Sequence, residues 1–399
     1  MADWHLITGE YPPQPGGVAD YTQLVAHALA RRGAEVHVWF PKGSGGNSSI
    51  IEVDNLAPHP GVILHPLPGH FGPKALRKLT HNLKRYQPRG RLLVQYVPHA
   101  YGWKSLNLPF CRWLVSHKSW KPWLMFHEVA MPLRWKTKPK LLAQALLHRV
   151  MARWLVQAAD RIFVTIPAWQ HLLSEITGRS LSVTWLPVPS NLPTQVDASQ
   201  VAALRQQNIA HAEHQLIGHF GTYGPHVRPQ LEQVLPPLLL AHPRRHSWLL
   251  GRHAQPFADH LCSVHPSLRH QLHAFPEMPA AALAAQLAAC DVLLQPYPEG
   301  ISCRRTSLMA GLALGLPIVS NRGPLTESIW SSSQALMLAK TSQPADLLTA
   351  AEQLLADPQS WPQWSQRAKA LYQASFSLEH TVDVLTSLAS PAAMPELAP

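Results

Sequence analysis

One local pattern recurs along the chain: a short continuous apolar run, a loop rich in Gly or Pro, then apolar residues at helical spacing. Runs of this kind read as strands buried on both faces. Strands that alternate with helices assemble into parallel sheets covered on both sides. "WHLIT", "EVHVWF", "GVILHPL", "RLLVQYV", "WLMFH", "RIFVTI" and "VTWLPV" form a first series. Between its first two runs, Val18, Tyr21, Leu24, Val25, Ala28 and Leu29 make a helical stripe that Gly33 ends. The pattern restarts after "PSNLP" with "LIGHF", "SWLLGR", "LHAF", "DVLLQPY", "PIVSN" and "ALMLA". The reading is α/β, with two doubly wound Rossmann-like domains at 1–192 and 193–365. A C-terminal helix within 366–399 is expected to pack back on the first domain, ahead of a Pro/Ala tail expected to be disordered.

The length of 399 residues suits two cores rather than one. With 46 % hydrophobic and 14 % charged residues, the composition belongs to a folding chain. The start, "MADWHLITGEYPPQPGG", lacks a basic leader, and no apolar run nears the ~20 residues of a membrane span. Cys111, Cys262, Cys290 and Cys303 lie far apart and read as reduced thiols. A cytoplasmic protein is the expectation.

Open α/β sheets bind ligands beyond the carboxyl ends of their strands. With two such sheets, a cleft between them is the expected site. That singles out "GEYPPQPGG", "HEVAMP", "GTYGPH" and "PYPEGISCRR". In the last, Glu299 and Gly300 form a turn after a strand, and a helix of small residues starts near Arg305. Free amides and the dipole make a helix start an anion site, and two guanidiniums can add bidentate phosphate contacts. The competing reading is that Arg304 and Arg305 merely solvate the helix start. Positive charge there opposes the dipole unless an anion is present.

This stretch resembles the signature of retaining GT-B glycosyltransferases of the glycogen-synthase and family 4 type. Glu299-Gly300 match its start, Met309-Ala310 its middle, and Gly315-Leu316-Pro317-Ile318-Val319 its end. Ser307 stands where the family has a second glutamate, which usually holds the nucleotide ribose. "YPPQPGGVADYTQLVAHALARRGAEVHVW" resembles the family's first βα unit, so Gly16 and Gly17 are expected beside donor phosphate. "LMFHEVAMP" resembles the strand-end histidine and acid that border the donor sugar, although His127 could equally be a structural histidine. "QYVPHAYG" resembles a loop near the acceptor. Where the family has a Gly-Arg and a lysine on the diphosphate, this chain has Gly221, Thr222 and Val227, with Arg228 one step late.

The resemblance implies transfer of a sugar from a nucleoside-diphosphate donor with retention and without metal or other cofactor. It implies Glu299, His127 and Arg305 as catalytic candidates. Donor contacts would come from Gly16, Gly17, Gly221, Thr222, Arg228, Gly300, Ile301, Ser302, Arg304 and Ser307. Gln95, Tyr96, His99 and Glu128 would lie on the acceptor side. A lipid-linked or cell-envelope glycan is the expected acceptor. The alternatives are a GT-B nucleotide-sugar epimerase or hydrolase, and a non-catalytic partner subunit.

Charge is uneven. Residues 1–197 carry 22 Lys/Arg against 10 Asp/Glu, while residues 198–399 carry 12 against 13. Between Lys74 and Arg153 there are 17 basic residues and a single acid, Glu128, with Trp103, Trp113, Trp120, Trp123 and Trp135 interleaved. Basic residues among amphipathic rings suit an anionic membrane surface. A solvated basic face over buried tryptophans is the plainer alternative. No nucleic-acid recognition motif accompanies the charge.

Overall fold

The structure is a computed structural model that describes residues 3–14, 16–42, 59–86, 90–102, 105–133, 138–209, 211 and 213–389. Trp103, Trp135 and the Pro/Ala tail from 390 onward lie outside the described residues.

Two all-parallel sheets form, one in each half. The first holds β1 (Asp3–Thr8), β2 (Val36–Lys42), β3 (Val62–Pro68), β4 (Gly90–Tyr96), β5 (Trp123–Phe126), β6 (Arg161–Val164) and β7 (Thr184–Trp185). Their spatial order is β3-β2-β1-β4-β5-β6-β7. The second holds β8 (Gln215–Phe220), β9 (Arg245–Leu250), β10 (Leu272–Phe275), β11 (Val292–Leu294), β12 (Ile318–Asn321) and β13 (Met337–Ala339). Its order is β10-β9-β8-β11-β12-β13. Each sheet reverses strand order once, between β1 and β4 and between β8 and β11. The crevice outside the strands at such a reversal is where open α/β sheets bind ligands.

The apolar runs become central strands because helices cover both faces of each sheet. Leu6, Ile7, Val94, Leu124 and Val164 are fully buried in the first sheet, and Leu216, Leu249, Leu293 and Val319 in the second. Trp123 anchors the first core, edge-on to Trp4 at 5.7 Å and flanked by the guanidiniums of Arg91 and Arg161 at 5.6 and 5.5 Å.

The chain divides into two compact units, 1–187 with 378–399, and 188–377. The sequence-based boundaries stand at 192 and 365. Helix Trp361–Ser375 packs on helix Thr306–Leu314 within the second unit, and only helix Leu378–Ala389 joins the first. There it lies against helix Gly17–Arg31, with an Arg32–Asp383 ion pair and a bond from Arg91 to the Ala389 carbonyl.

Candidate functional site

The loop after β11 is held from below by Asn321. This fully buried side chain accepts from the Tyr297 amide (2.8 Å) and donates to the Tyr297 carbonyl (2.8 Å). Gly300 adopts φ 82°, and a Cβ there would come within 2.3 Å of the Gly323 amide nitrogen. The loops after β11 and β12 therefore touch backbone to backbone. A side chain at either glycine would part them.

The next residues run into helix Thr306–Leu314. Gly311 lets that helix lie directly on the sheet: a Cβ would meet Leu293 and Ile318 at 2.7 and 2.9 Å. Gly315 has another task, ending the helix at φ 72° against the stem of Lys369. Arg305 is the cap residue, but its side chain makes no capping bond.

Both arginines meet the Glu299 carboxylate. Arg304 donates to Glu299 Oε2 at 2.7 Å and Arg305 to the same oxygen at 3.4 Å. The expectation of guanidiniums held clear for phosphate is thus corrected, because the nearest carboxylate takes the pair. It also offsets one of the two positive charges that oppose the helix dipole. The cluster remains accessible, with side-chain exposures of 46 % for Glu299, 19 % for Arg304 and 32 % for Arg305. Beneath it, the Tyr297 ring lies 5.0 Å from the Arg305 guanidinium, and its hydroxyl bonds Ser307 at 2.9 Å. Ser307, expected at the ribose, is engaged with this tyrosine.

Two of the expected loop amides are already bonded. Gly300 N–H donates to Tyr297 O and Ile301 N–H to Asn321 O, each at 2.9 Å. Ile301 and Ser302 are fully buried. Donors toward an anion are therefore the guanidiniums and the first amides of helix Thr306–Leu314, which have no acceptor within the helix. Glu327 was not apparent from sequence. It accepts from the Cys303 amide (3.0 Å) and Trp330 Nε1 (2.7 Å), and burial raises its pKa.

At the end of β8, the Gly221 amide bonds the Leu250 carbonyl at 3.1 Å, and Thr222 is exposed. Arg228 instead serves its own helix, Arg228–Leu240. It sits 3.7 Å from Glu232 and 5.4 Å from the Phe257 ring centre, where it is partly exposed.

In the first unit, Glu10 takes the place expected for phosphate. Its carboxylate accepts from the Ala19 amide at 3.3 Å, and a Cβ on Gly16 would fall 2.2 Å from Glu10 Oε1. A Cβ on Gly17, by contrast, would meet nothing within 4 Å. His127 is 7 % exposed; its Nε2 donates to Gln95 Oε1 at 2.9 Å, and Tyr21 stands edge-on at 4.8 Å. Burial lowers its pKa to about 3, so the ring is neutral. Gln95 and Tyr96, expected on the acceptor side, are fully buried, because β4 is covered on both faces up to its last residue. His99 and Glu128 do reach solvent, 3.9 Å apart.

The tryptophans also differ from expectation. Trp113 and Trp123 lie in the core, where Trp113 donates to Thr80, and Trp120 packs edge-on to Trp113. Among the described residues no three His, Cys, Asp or Glu side chains converge as metal ligands, and no helix is long and apolar enough to cross a membrane.

Residues 16–189 match the Glycosyl transferase 4-like domain family. Sucrose-phosphate synthase from Thermosynechococcus elongatus superposes with a TM-score of 0.70 at 16 % identity, covering 98 % of each chain. HepE of Anabaena, solved with UDP, gives 0.65 at 16 % identity over 97 % of this chain and 99 % of its own. WaaG, a glycosyltransferase involved in lipopolysaccharide biosynthesis, gives 0.61 at 13 % identity over 96 % and 98 %. The fold is GT-B. The Glycosyl transferase 4-like match is confined to residues 16–189, less than half of the chain, and at these identities the structures show the fold. No curated protein matches the sequence significantly. Within this GT-B chain the family match lies in the first unit, whereas the Glu299–Arg304–Arg305 cluster lies in the second.

Proposed function

We propose that the chain is a retaining, metal-independent glycosyltransferase that moves a sugar from a nucleoside-diphosphate donor to a lipid-linked or other cell-envelope glycan. It works in the cytoplasm, attached to the inner face of the membrane. The observation that carries this reading is the accessible Glu299 carboxylate shared by Arg304 and Arg305 at a helix start. HepE has been solved with UDP and with UDP-glucose, which supports a nucleotide-sugar donor here. WaaG's part in lipopolysaccharide biosynthesis supports an envelope acceptor.

A diphosphate carries more charge than one carboxylate and competes with Glu299 for the guanidiniums. Once displaced, Glu299 is available to hold sugar hydroxyls and orient the ring. As the glycosidic bond breaks, negative charge grows on the leaving diphosphate. Arg304, Arg305 and the first amides of helix Thr306–Leu314 are already aimed at it, so little reorganisation is needed. Tyr297 positions Arg305 from below. The leaving phosphate takes the acceptor proton, so no protein base is required. His127, buried, neutral and bonded to Gln95, serves a structural role rather than exchanging protons.

The test is sugar transfer by Glu299→Ala and Arg305→Ala proteins whose melting is unchanged. Each is expected to lose about 100-fold or more in turnover, the scale of losing one preorganised charge contact. Near-normal turnover in both would end the assignment.

A further inference from the structure

Helix Pro139–Ala158 is apolar on two sides and packed on one. Ala145, His148, Met151, Ala152 and Leu155 face the core. On the opposite side Leu142, Leu146 and Val150 follow at four-residue steps, with Arg149 and Arg153 in the same row. Leu141 is exposed four residues before Ala145, at the start of the core-facing stripe; the four aliphatic side chains are 39–50 % exposed. A helix that keeps a second apolar row outside its packed face, among Lys140, Arg149, Arg153 and Gln157, ordinarily has something to cover that row, and contiguous exposed apolar surface marks an interaction site. Nine large apolar side chains are exposed among the described residues; these four and Leu133 make up five of them.

The row continues into charge. Arg153 lies three residues beyond Val150, and with Gln157, Thr177 and Arg179 it lines a depression of about 360 Å³. Neither arginine forms an ion pair within the described residues. Lys138 and Lys140 are exposed at the other end of the same helix. The exposed acids nearby are Glu175, which acts on Arg149, and Asp160 past the helix end. Leucines rimmed by cations match an interface of acyl chains beneath anionic headgroups.

We propose that this face seats an anionic phospholipid bilayer. Leu142, Leu146 and Val150 enter the headgroup boundary, and Arg153 and Arg179 take a lipid phosphate at the depression. This rests on the membrane attachment proposed above but moves it from the tryptophans to a leucine row.

Sedimentation with phosphatidylglycerol and phosphatidylcholine vesicles tests it, on the full chain. The native protein should bind phosphatidylglycerol vesicles at low salt and phosphatidylcholine vesicles weakly. Leu142→Ser/Leu146→Ser should abolish binding at every salt concentration. Arg153→Gln/Arg179→Gln should weaken it about tenfold or more and flatten its salt dependence. Melting temperature and calorimetric binding of nucleoside diphosphates should be unchanged in both, so a failed docking surface is distinguished from a failed donor site. Three results would each overturn the proposal: no vesicle binding by the native protein, binding indifferent to the leucine pair, or self-association that the leucine pair abolishes while vesicles stay unbound.

Discussion

In the loop after β1 the Glu10 carboxylate lies against the amides of a helix start, while in the loop after β11 that of Glu299 lies between two guanidiniums. Both glutamates sit where the sequence leads one to expect a phosphate. They differ in what they hold. Glu10 fills the space beside Gly16 and serves the backbone, whose amide would otherwise lack a partner. Glu299, itself nearly half exposed, bonds two long, partly exposed side chains, and contacts of that kind contribute about 1 kcal/mol or less to stability. One is a structural plug. The other is an exchangeable link, suited to a site that must alternate between partners.

The largest expected effect separates the units by pH. In the first unit burial lowers the pKa of His5 to about 3, His65 to about 4 and His127 to about 3. In the second, His219 and His246 fall to about 4. Each folded-state value is below the unfolded 6.5, so under that pH the unfolded chain takes protons that the folded chain refuses. Stability is complete above pH 6.5 and falls as the pH drops toward 4. The slope is about 1.4 kcal/mol per pH unit for fully buried His127 and His219, and less for the more exposed rings. Brief proteolysis at pH 5, with cut sites mapped by mass spectrometry, should open the first unit before the second. The reverse order would break the comparison.

Next in size is Arg304→Ala/Arg305→Ala. Hydrogen bonds to charged groups contribute about 1.5–3 kcal/mol each, so nucleoside-diphosphate affinity should fall 100-fold or more by calorimetry. Melting should hardly move. A large loss of stability with intact affinity would make the cluster a structural plug like Glu10.

Glycine substitutions sharpen the contrast. Gly300→Ala places a Cβ 2.3 Å from backbone at φ 82°, and neither neighbour can swing away. It should cost about 2 kcal/mol or more. Gly16→Ala meets only the tip of Glu10, which can rotate off at about the cost of a lost cap, ~1 kcal/mol. Chemical denaturation of the two variants should keep that order.

The architecture was legible because strands buried on both faces must be continuous apolar runs, as β1, β5, β6, β11 and β12 are. The partly buried outer strands β3, β7, β10 and β13 carry enough apolar residues to extend the series. Partner choice was not. Glu10 and Glu299 each follow a strand and precede a helix, and nothing in their spacing says which meets amides and which meets guanidiniums. Asn321 and Gly323 matter through contacts with residues about twenty positions earlier, which no local pattern encodes. Helix Pro139–Ala158 has apolar residues on two sides, so its periodicity could not say which leucines would be left outside. The tryptophans misled for a related reason: large rings among lysines fit an interface and a core equally well.

The smallest effect is the most discriminating. Glu299→Gln keeps the shape of the side chain and removes the charge that competes with phosphate. If the link is exchangeable, nucleoside diphosphate should bind the variant a few-fold more tightly, an effect of about 1 kcal/mol, even as sugar transfer is lost. Glu10→Gln should leave phosphate affinity alone and lower stability by about 0.5–1 kcal/mol, because a neutral amide caps a helix dipole less well. Calorimetry and melting on the two variants read both quantities. Should Glu299→Gln bind more weakly, the carboxylate holds the arginines in place for the donor instead of competing with it, and the two glutamates are then alike in kind.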